Sequence, residues 1–498
     1  MDLNLGIAAA LIVALFIRLL GITSRPIWYD EAFSILFAQK GLGAMLYGTL
    51  APTGAGSAEE HPLGYYSLLW LWMRLFGDSL VATRLLSVLA GMVSVYLVYL
   101  IALEALSDRK TATLSMFIAA LAPFQVHYAQ EIRMYSFLGM WLLLATYAYQ
   151  RGARTRGWIW WGLFSISAAL AQYTHNLAAF YLIPLALLPV FRKDWKTFRA
   201  MILAGLGALV LYLPWLVQLP AQFAKVQQAY WVERPDISKL FTLLLVYTSN
   251  TPLPGKLVAA ALLVTLVVVS IGLLQTVRMA RRGEAGSGGW LLYLSFGPPL
   301  LLFLFSQWRP IYVERALVTS GAVYCIWLAW LLSKTELSNL ARYALSALLA
   351  LAFILGIYQH VTYRDFPYGP FRELDASLRA RATPEDVIIH SNKLTLLPAI
   401  YHDLQLPQTF IGDPPGSKID TLAPATQDIL GIQAETDIRT ATEEAQRVWY
   451  IIYQRALDEY GSGGHSIPPD LEYLDSEFIL EARESWDGLR VYLYSRQP

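Results

Sequence analysis

The chain has 498 residues, of which 56% are hydrophobic and only 15% are charged, and its mean hydropathy is +0.43. Soluble domains carry about 25% charged residues, so this composition indicates a membrane protein with several spans and excludes a disordered chain. No stripe of basic residues interleaved with aromatic residues is present, which argues against nucleic acid as a partner.

The formal net charge of +1 conceals two unlike parts of the chain. Residues 1–360 hold 26 basic and 15 acidic residues, whereas residues 361–498 hold 12 basic and 22 acidic residues. A change of sign this large marks a domain boundary. We therefore predict a transmembrane domain over residues 1–360 and a soluble α/β domain over residues 361–498.

Long apolar segments predict about eleven transmembrane helices in the first part of the chain, because a bilayer core needs about 20 apolar residues per helix. The predicted spans are residues 5–22, 84–104, 111–128, 133–150, 158–174, 176–191, 198–217, 256–277, 289–306, 315–332 and 341–360. Another apolar segment, residues 62–77, is short and contains Arg74. It is either a twelfth span or a helix that lies along the membrane interface.

Loop charges decide between these two interpretations, because cytoplasmic loops are enriched in Lys and Arg. With residues 62–77 outside the bilayer and a cytoplasmic N-terminus, the inner loops hold 14 Lys and Arg in 46 residues, and the outer loops hold 11 in 119. We therefore predict an outer first loop over residues 23–83 that contains an interfacial helix. The same orientation places residues 361–498 outside the cytoplasm.

The soluble part alternates β-rich and helical segments. Residues 386–390 and 448–453 are typical of buried strands, and residues 394–404 of a helix. Residues 477–484 and 489–494 predict a closing hairpin. This alternation is the basis for the α/β class.

The predicted spans contain almost no ionisable residues apart from Arg18. Most of the polar residues that could carry chemistry lie instead at the predicted outer face. A site inside the bilayer would need ionisable residues within the spans, so we expect the chemistry at the outer face. The candidate residues there are Asp30, Glu31, Glu60, His61, Arg84, Glu131, Arg133, Tyr135, His175 and Arg315.

Asp30 and Glu31 are adjacent in the segment RPIWYDEAFS. Adjacent carboxylates repel, so they need hydrogen bonds or cations, or one pKa must rise. A carboxylate held in this way suits a general base that takes a proton from an acceptor hydroxyl or amine. The alternative is a helix N-terminus, where the helix dipole favours acidic residues.

The outer cations and His61 each allow two interpretations. Arg84 and Arg133 either extend towards lipid headgroups or clamp a lipid-linked phosphate. Arg315 is informative because outer segments are poor in Arg. His61 either caps a helix before Pro62 or binds a phosphate or a metal.

Metal dependence is open at this stage, and no other cofactor is indicated. Glu60, His61 and Glu131 would supply ligands for a divalent cation if they lie close together. His175 is interpreted by default as a histidine satisfied by a neighbour.

Five segments in chain order resemble a known family of membrane enzymes. They are DEAFS, HPLGYY, RLLSVLAG, AQEIRMYSF and RPIYVERAL, and they extend over roughly residues 1–335. They resemble the membrane glycosyltransferases of the GT-C fold, in particular the protein O-mannosyltransferase-like and aminoarabinose-transferase-like group. The resemblance implies an inverting transfer of a hexose or pentose from a polyprenyl-phosphate donor to a lipid, glycan or protein acceptor.

The resemblance also implies roles for individual residues. Asp30 matches the proposed base of the family, with Glu31 in support, and Arg84 matches an arginine near the donor phosphate. Leu63 replaces the second proline of the HPP segment of the family. Glu131 and Arg133 match the acidic and basic positions of the family after the third span. From their position at the predicted outer face, we also expect donor-phosphate binding by Arg133, Arg315 and His61, and acceptor binding or support by Glu60, Glu131, Tyr135 and His175. A prokaryotic plasma membrane, with membrane lipids as partners, is the expected location.

Two other functions fit a polytopic protein with outer carboxylates and arginines. A transporter or flippase for a lipid-linked saccharide typically carries midplane polar sites and internal repeats, and neither is visible in the sequence. A polysaccharide polymerase or ligase would use similar outer residues. The number of sugars added per acceptor distinguishes it from a transferase that adds one sugar.

Overall fold

The computed structural model describes residues 3–50, 61–228, 231–283, 286–414, 417, 422, 424–462 and 467–497. The first part of the chain is helical, with two short 3-10 helices at Asn176–Ala178 and Glu314–Leu317. The α-helices are α1 (Leu3–Leu19), α2 (Tyr29–Gln39), α3 (Leu42–Leu50), α4 (Gly64–Phe76), α5 (Leu80–Leu106), α6 (Arg109–Leu121), α7 (Pro123–Ala129), α8 (Tyr135–Thr155), α9 (Trp158–Thr174), α10 (Ala179–Phe191), α11 (Trp195–Leu216), α12 (Leu219–Gln228), α13 (Ser238–Thr248), α14 (Gly255–Arg281), α15 (Gly286–Ser306), α16 (Val318–Lys334) and α17 (Asn339–Thr362).

Each of the eleven predicted spans coincides with one helix or with a pair of consecutive helices. Among the described residues, six helices are long and apolar enough to cross a membrane, and one bent pair adds a seventh. The helical membrane class is therefore confirmed. The number of spans and their orientation stay predictions.

The predicted span over residues 111–128 is bent by 59° between α6 and α7. Pro123 has no N–H to donate to the carbonyl of Ala119, so the hydrogen-bond ladder breaks at this point. The buried Arg18 supplies the missing donors: its Nη1 lies 3.0 Å from the carbonyl oxygen of Ala120, and its Nη2 lies 3.4 Å from that of Ala119. The carbonyl groups that the bend exposes are thus the hydrogen-bond acceptors of Arg18, which is otherwise in apolar surroundings.

The segment between α1 and α5, predicted as the first outer loop, contains more structure than the sequence predicts. Helix α4 agrees with the predicted helix at residues 62–77, but α2 and α3 precede it. Asp30 and Glu31 lie in the first turn of α2. The helix-dipole interpretation of this acidic pair is therefore correct, and it does not exclude a catalytic role.

The soluble part contains six strands in the order β3-β2-β1-β4-β6-β5 within the residues that the structure describes. The pairs β3–β2, β2–β1 and β1–β4 are parallel, and β6 joins β4 and β5 by antiparallel pairing. The elements are β1 (Asp386–His390), β2 (Gln408–Ile411), β3 (Ala434–Glu435), β4 (Arg447–Tyr453), β5 (Phe478–Trp486), β6 (Leu489–Arg496), α18 (Phe371–Arg381), α19 (Lys393–His402), α20 (Pro424–Leu430), α21 (Ile438–Thr442), α22 (Gln454–Ser462) and α23 (Pro469–Glu477). The predicted strands, helix and closing hairpin are confirmed.

The C-terminal part packs directly on the segment between α1 and α5. Helix α19 lies against α2, and the side chains of Leu396, Leu397 and Ile400 belong to the same buried cluster as those of α2. Helix α20 lies against α3, where a Cβ added to Gly48 would approach Ile429 Cδ1 to 2.7 Å. The helix that carries Asp30 and Glu31 is therefore held from one side by the C-terminal part of the chain.

A buried carboxyl group makes the soluble part sensitive to pH. Burial, and then the charge of Asp403, raise the pKa of Asp375 to about 8, whereas an unfolded Asp titrates near about 3.9. The folded state therefore binds the extra proton between these values, and stability falls as the pH rises from about 4 to about 8. We expect Asp375→Asn to raise the Tm by about 4 °C or more at pH 8 and to change it little at pH 4.

The measurement is thermal unfolding of the full chain in detergent at both pH values. Asp428→Asn is the matched control, because Asp428 is exposed on α20, and it should leave both Tm values unchanged. An equal gain for Asp375→Asn at both pH values would show that ionisation of Asp375 is not the cause.

Candidate active site

The site is built around the N-terminus of α2. Successive residues of a helix point about 100° apart, so the adjacent carboxylates of Asp30 and Glu31 face different neighbours. Glu31 faces α5, and Asp30 faces the 3-10 helix Glu314–Leu317. The repulsion expected between two adjacent carboxylates is relieved by separate cations.

Glu31 forms a buried bidentate ion pair with Arg84. Arg84 Nη2 lies 2.7 Å from Glu31 Oε2 and Arg84 Nε lies 3.0 Å from Glu31 Oε1, and each side chain is 1% exposed. Arg84 Nη1 donates to the carbonyl oxygens of Ile22 at 2.6 Å and Arg25 at 3.0 Å. The backbone N–H of Ile132 also donates to Glu31 Oε1, at 3.1 Å.

The resemblance implies that Arg84 lies near the donor phosphate, and this role stays a prediction. In the structure the guanidinium binds Glu31 and two backbone carbonyls, and the side chain is buried. The pair connects α2, α5 and the segment after α7. Glu31 and Arg84 thus hold the site together and do not line its accessible surface.

Asp30 is shared between two arginines. Its Oδ2 accepts a hydrogen bond from Arg315 Nη1 at 2.7 Å, and Arg133 Nε lies 3.7 Å from the same oxygen. Burial alone would raise the pKa of Asp30, but the charges of Arg133 and Arg315 outweigh this effect and hold the pKa below its ordinary value. Asp30 is therefore ionised at neutral pH.

The two arginines differ in solvent exposure. Arg133 is 4% exposed, and its Nη1 also donates to Ser34 Oγ at 3.2 Å and to Tyr66 Oη at 3.1 Å. Arg315 is 20% exposed, and its guanidinium carbon lies 5.3 Å and 5.6 Å from the ring centroids of Tyr135 and Trp231. Arg315 is the more accessible of the two cations beside Asp30.

Glu131 lies in the short segment between α7 and α8, where it is buried. Burial, and then the charge of Glu31, raise the pKa of Glu131 to about 7. It therefore exchanges a proton near neutral pH, while Asp30 stays ionised.

Two histidines complete this region. The ring centroids of His61 and His175 are 4.9 Å apart, and the ring of Tyr135 lies 5.9 Å from that of His175. His175 Nδ1 accepts the backbone N–H of Leu177 at 3.1 Å, and burial lowers the pKa of His175 well below its ordinary value. His175 is thus neutral and caps the 3-10 helix at Asn176–Ala178.

The predicted metal site remains untested. Among the residues that the structure describes, no three or more His, Cys, Asp and Glu side chains are grouped so that they could hold a metal ion. Glu60, one of the three ligands suggested by the sequence, lies outside these residues.

Three contact residues escaped the sequence analysis. Ser34 lies one turn after Asp30 on α2, and this spacing could have identified it. Tyr66 reaches Arg133 from α4 and belongs to the HPLGYY segment, which could have identified it. Trp231 carries no comparable signal, because it reaches Arg315 from the segment between α12 and α13.

An apolar cleft of about 370 Å³ opens between α9, α10 and α11. Its lining is mostly aliphatic, with the polar side chains of Gln172 and Tyr212 included. Gln172 is three residues before His175 in the chain, so the cleft begins close to the site.

These features define a membrane protein of the GT-C fold class, and the comparisons with known proteins agree. Residues 60–217 match the family model described as dolichyl-phosphate-mannose-protein mannosyltransferase. The resemblance noted in the sequence is confirmed.

Within that class, the chain is similar to an arabinosyl transferase. It is 28% identical over 179 residues to the undecaprenyl phosphate-alpha-4-amino-4-deoxy-L-arabinose arabinosyl transferase of Pseudomonas aeruginosa strain UCBPP-PA14, a match that covers 34% of this chain and 32% of the relative. The chain thus matches about a third of the length of this curated relative.

Crystal structures of ArnT from Cupriavidus metallidurans share the fold over almost the whole chain. The apo form has a TM-score of 0.64 at 12% identity, and the form bound to undecaprenyl phosphate has a TM-score of 0.63 at 13% identity. Both comparisons cover 98% of this chain and 97% of the other. The likeness therefore extends to the soluble C-terminal part, which no sequence motif identified.

Proposed function

We propose that the chain is an inverting glycosyltransferase that moves a sugar from a polyprenyl-phosphate donor to an acceptor at the outer face of the membrane. The observation that carries this proposal is the contact between Asp30 and Arg315, both partly exposed, at 2.7 Å. It brings together a carboxylate that suits a general base and a guanidinium that suits a phosphate. The curated relative, an undecaprenyl-phosphate arabinosyl transferase, supports a donor of this class.

The reaction requires one proton acceptor and one cation. The acceptor oxygen or nitrogen attacks the anomeric carbon on the face opposite the phosphate, so the configuration inverts as the bond between carbon and phosphate oxygen breaks. Asp30 takes the proton from the attacking group. The departing phosphate gains one negative charge, which Arg315 stabilises, and it needs no acid because it leaves as an anion.

An apolar cleft near these groups supports the binding of a lipid-linked donor. The apolar cleft between α9, α10 and α11 would receive part of the polyprenyl chain, since its wall is aliphatic and it begins near His175. Undecaprenyl phosphate is the ligand named for the related ArnT structure. The acceptor is a lipid, glycan or protein that approaches from the extracytoplasmic side.

The test is an incubation of the purified full chain in lipid nanodiscs with a panel of polyprenyl-phosphate hexoses and pentoses and candidate acceptors. Release of polyprenyl phosphate that depends on the acceptor, with one inverted sugar added per acceptor, is the expected result. Movement of a labelled lipid-linked sugar across vesicles without release would identify a transporter. Products with many sugars per acceptor would identify a polymerase. Either result would contradict the proposal.

A further inference from the structure

In this structure Asp30, the proposed base, is bonded to Arg315, the residue proposed to bind the donor phosphate. Asp30 Oδ2 accepts the hydrogen bond from Arg315 Nη1, and the same oxygen faces Arg133 Nε. One carboxylate oxygen of the proposed base thus lies between two cations.

This pairing opposes proton transfer. A carboxylate that accepts a charge-assisted hydrogen bond has lone pairs committed to the cation and binds a proton weakly. Asp30 becomes a stronger base when one arginine turns away from it. An anion that replaces Asp30 as the partner of an arginine would therefore activate the base.

Arg315 is the cation that can change partner. Arg133 is almost fully buried and is anchored by Ser34 and Tyr66, whereas Arg315 reaches the surface of the site. The aromatic rings of Tyr135 and Trp231 lie against the guanidinium of Arg315. Cation–π contacts of this kind do not use the N–H donors, so Arg315 can keep them while its hydrogen bonds pass to a phosphate.

We propose that the donor phosphate competes with the Asp30 carboxylate for Arg315, so that binding of the donor releases the base. The inference rests on the proposed function, because it assigns Asp30 and Arg315 to one reaction. It adds an order of events: the base becomes active only after the phosphate is bound. In the free enzyme, the pairing keeps Asp30 unreactive.

The proposed competition predicts the direction in which the affinity for phosphate changes when Asp30 is replaced. Removing the carboxylate should strengthen phosphate binding, because the phosphate no longer displaces a charged partner. With undecaprenyl phosphate as the probe and the full chain in nanodiscs, we expect Asp30→Asn to bind about tenfold tighter than the wild type, within the usual range of coupling between two ligands. Asp30→Ala should show the same direction, which guards against a specific effect of the new amide.

Two further variants complete the experiment. Arg315→Ala should weaken binding at least tenfold, and adding Asp30→Asn to it should give no gain. Asp78→Asn is the control, since Asp78 is an exposed acid at the same face that is bonded to Gln39, and it should leave the affinity unchanged. Thermal unfolding confirms that each variant is folded.

The outcomes separate this inference from the proposed function. Wild-type transfer together with equal or weaker binding by both folded Asp30 variants would overturn the competition and leave the proposed function intact. If the wild type neither binds the lipid phosphate nor transfers a sugar, both are overturned.

Discussion

Asp30→Asn is expected to lower the rate of sugar transfer by about 10²–10⁴-fold, the range typical of a lost general base. The amide keeps the size of the side chain and can still bond to Arg315, but it cannot take a proton from the acceptor. The measurement is the initial rate of polyprenyl phosphate release by the purified full chain at saturating donor. Expression and thermal stability should stay close to those of the wild type.

The control for this experiment is Asp78→Asn, which changes an exposed carboxylate that is bonded to Gln39. Its transfer rate should stay within about twofold of the wild type. A folded Asp30→Asn protein with an unchanged rate would remove Asp30 as the base. Glu131, with its pKa near 7, would then be the next group to replace.

The second large effect concerns stability rather than chemistry. Arg84→Met should destabilise the protein by about 3–5 kcal/mol, because it leaves the buried carboxylate of Glu31 without its cation. It also removes the donors to the backbone carbonyl oxygens of Ile22 and Arg25, which is a smaller loss. The measurement is the unfolding of the full chain in detergent, with Arg74→Met on the exposed face of α4 as the control.

The double variant Glu31→Met/Arg84→Met tests the cause. Replacing both charges removes the unpaired carboxylate, so the double variant should be more stable than Arg84→Met alone. Losses that simply add would show that Glu31 and Arg84 contribute independently. Together with Asp30→Asn, these variants separate the roles of two carboxylates that are adjacent in the sequence.

The membrane helices could be predicted because the bilayer imposes a length and an apolar composition on each of them. Helix α3 escaped prediction, since no such rule applies to a loop. The start of α2 was indicated only by its acidic pair, and α2 packs on α19. The bend before α7 had a signal in Pro123, but an apolar run of the right length concealed it.

Motifs in a characteristic order along the chain predicted which residues belong to the site. They did not predict which carboxylate contacts which arginine. Which carboxylate meets which arginine depends on the rotation of α2 against α5 and on the position of the 3-10 helix, and no local sequence encodes these. The structure brings Arg133 and Arg315 beside Asp30 and Arg84 beside Glu31, and the role of Arg84 in phosphate binding stays a prediction.

The contact between α2 and α19 has a consequence for biosynthesis. Helix α2 ends at Gln39 and α19 begins at Lys393, so a ribosome that adds about 5–20 residues per second completes the second helix about 20–70 s after the first. Throughout this interval the apolar face of α2 has no partner from α19. A nascent chain therefore carries Asp30 and Glu31 long before α19 packs against the helix that holds them, and the C-terminal part must reach the same side of the membrane as α2.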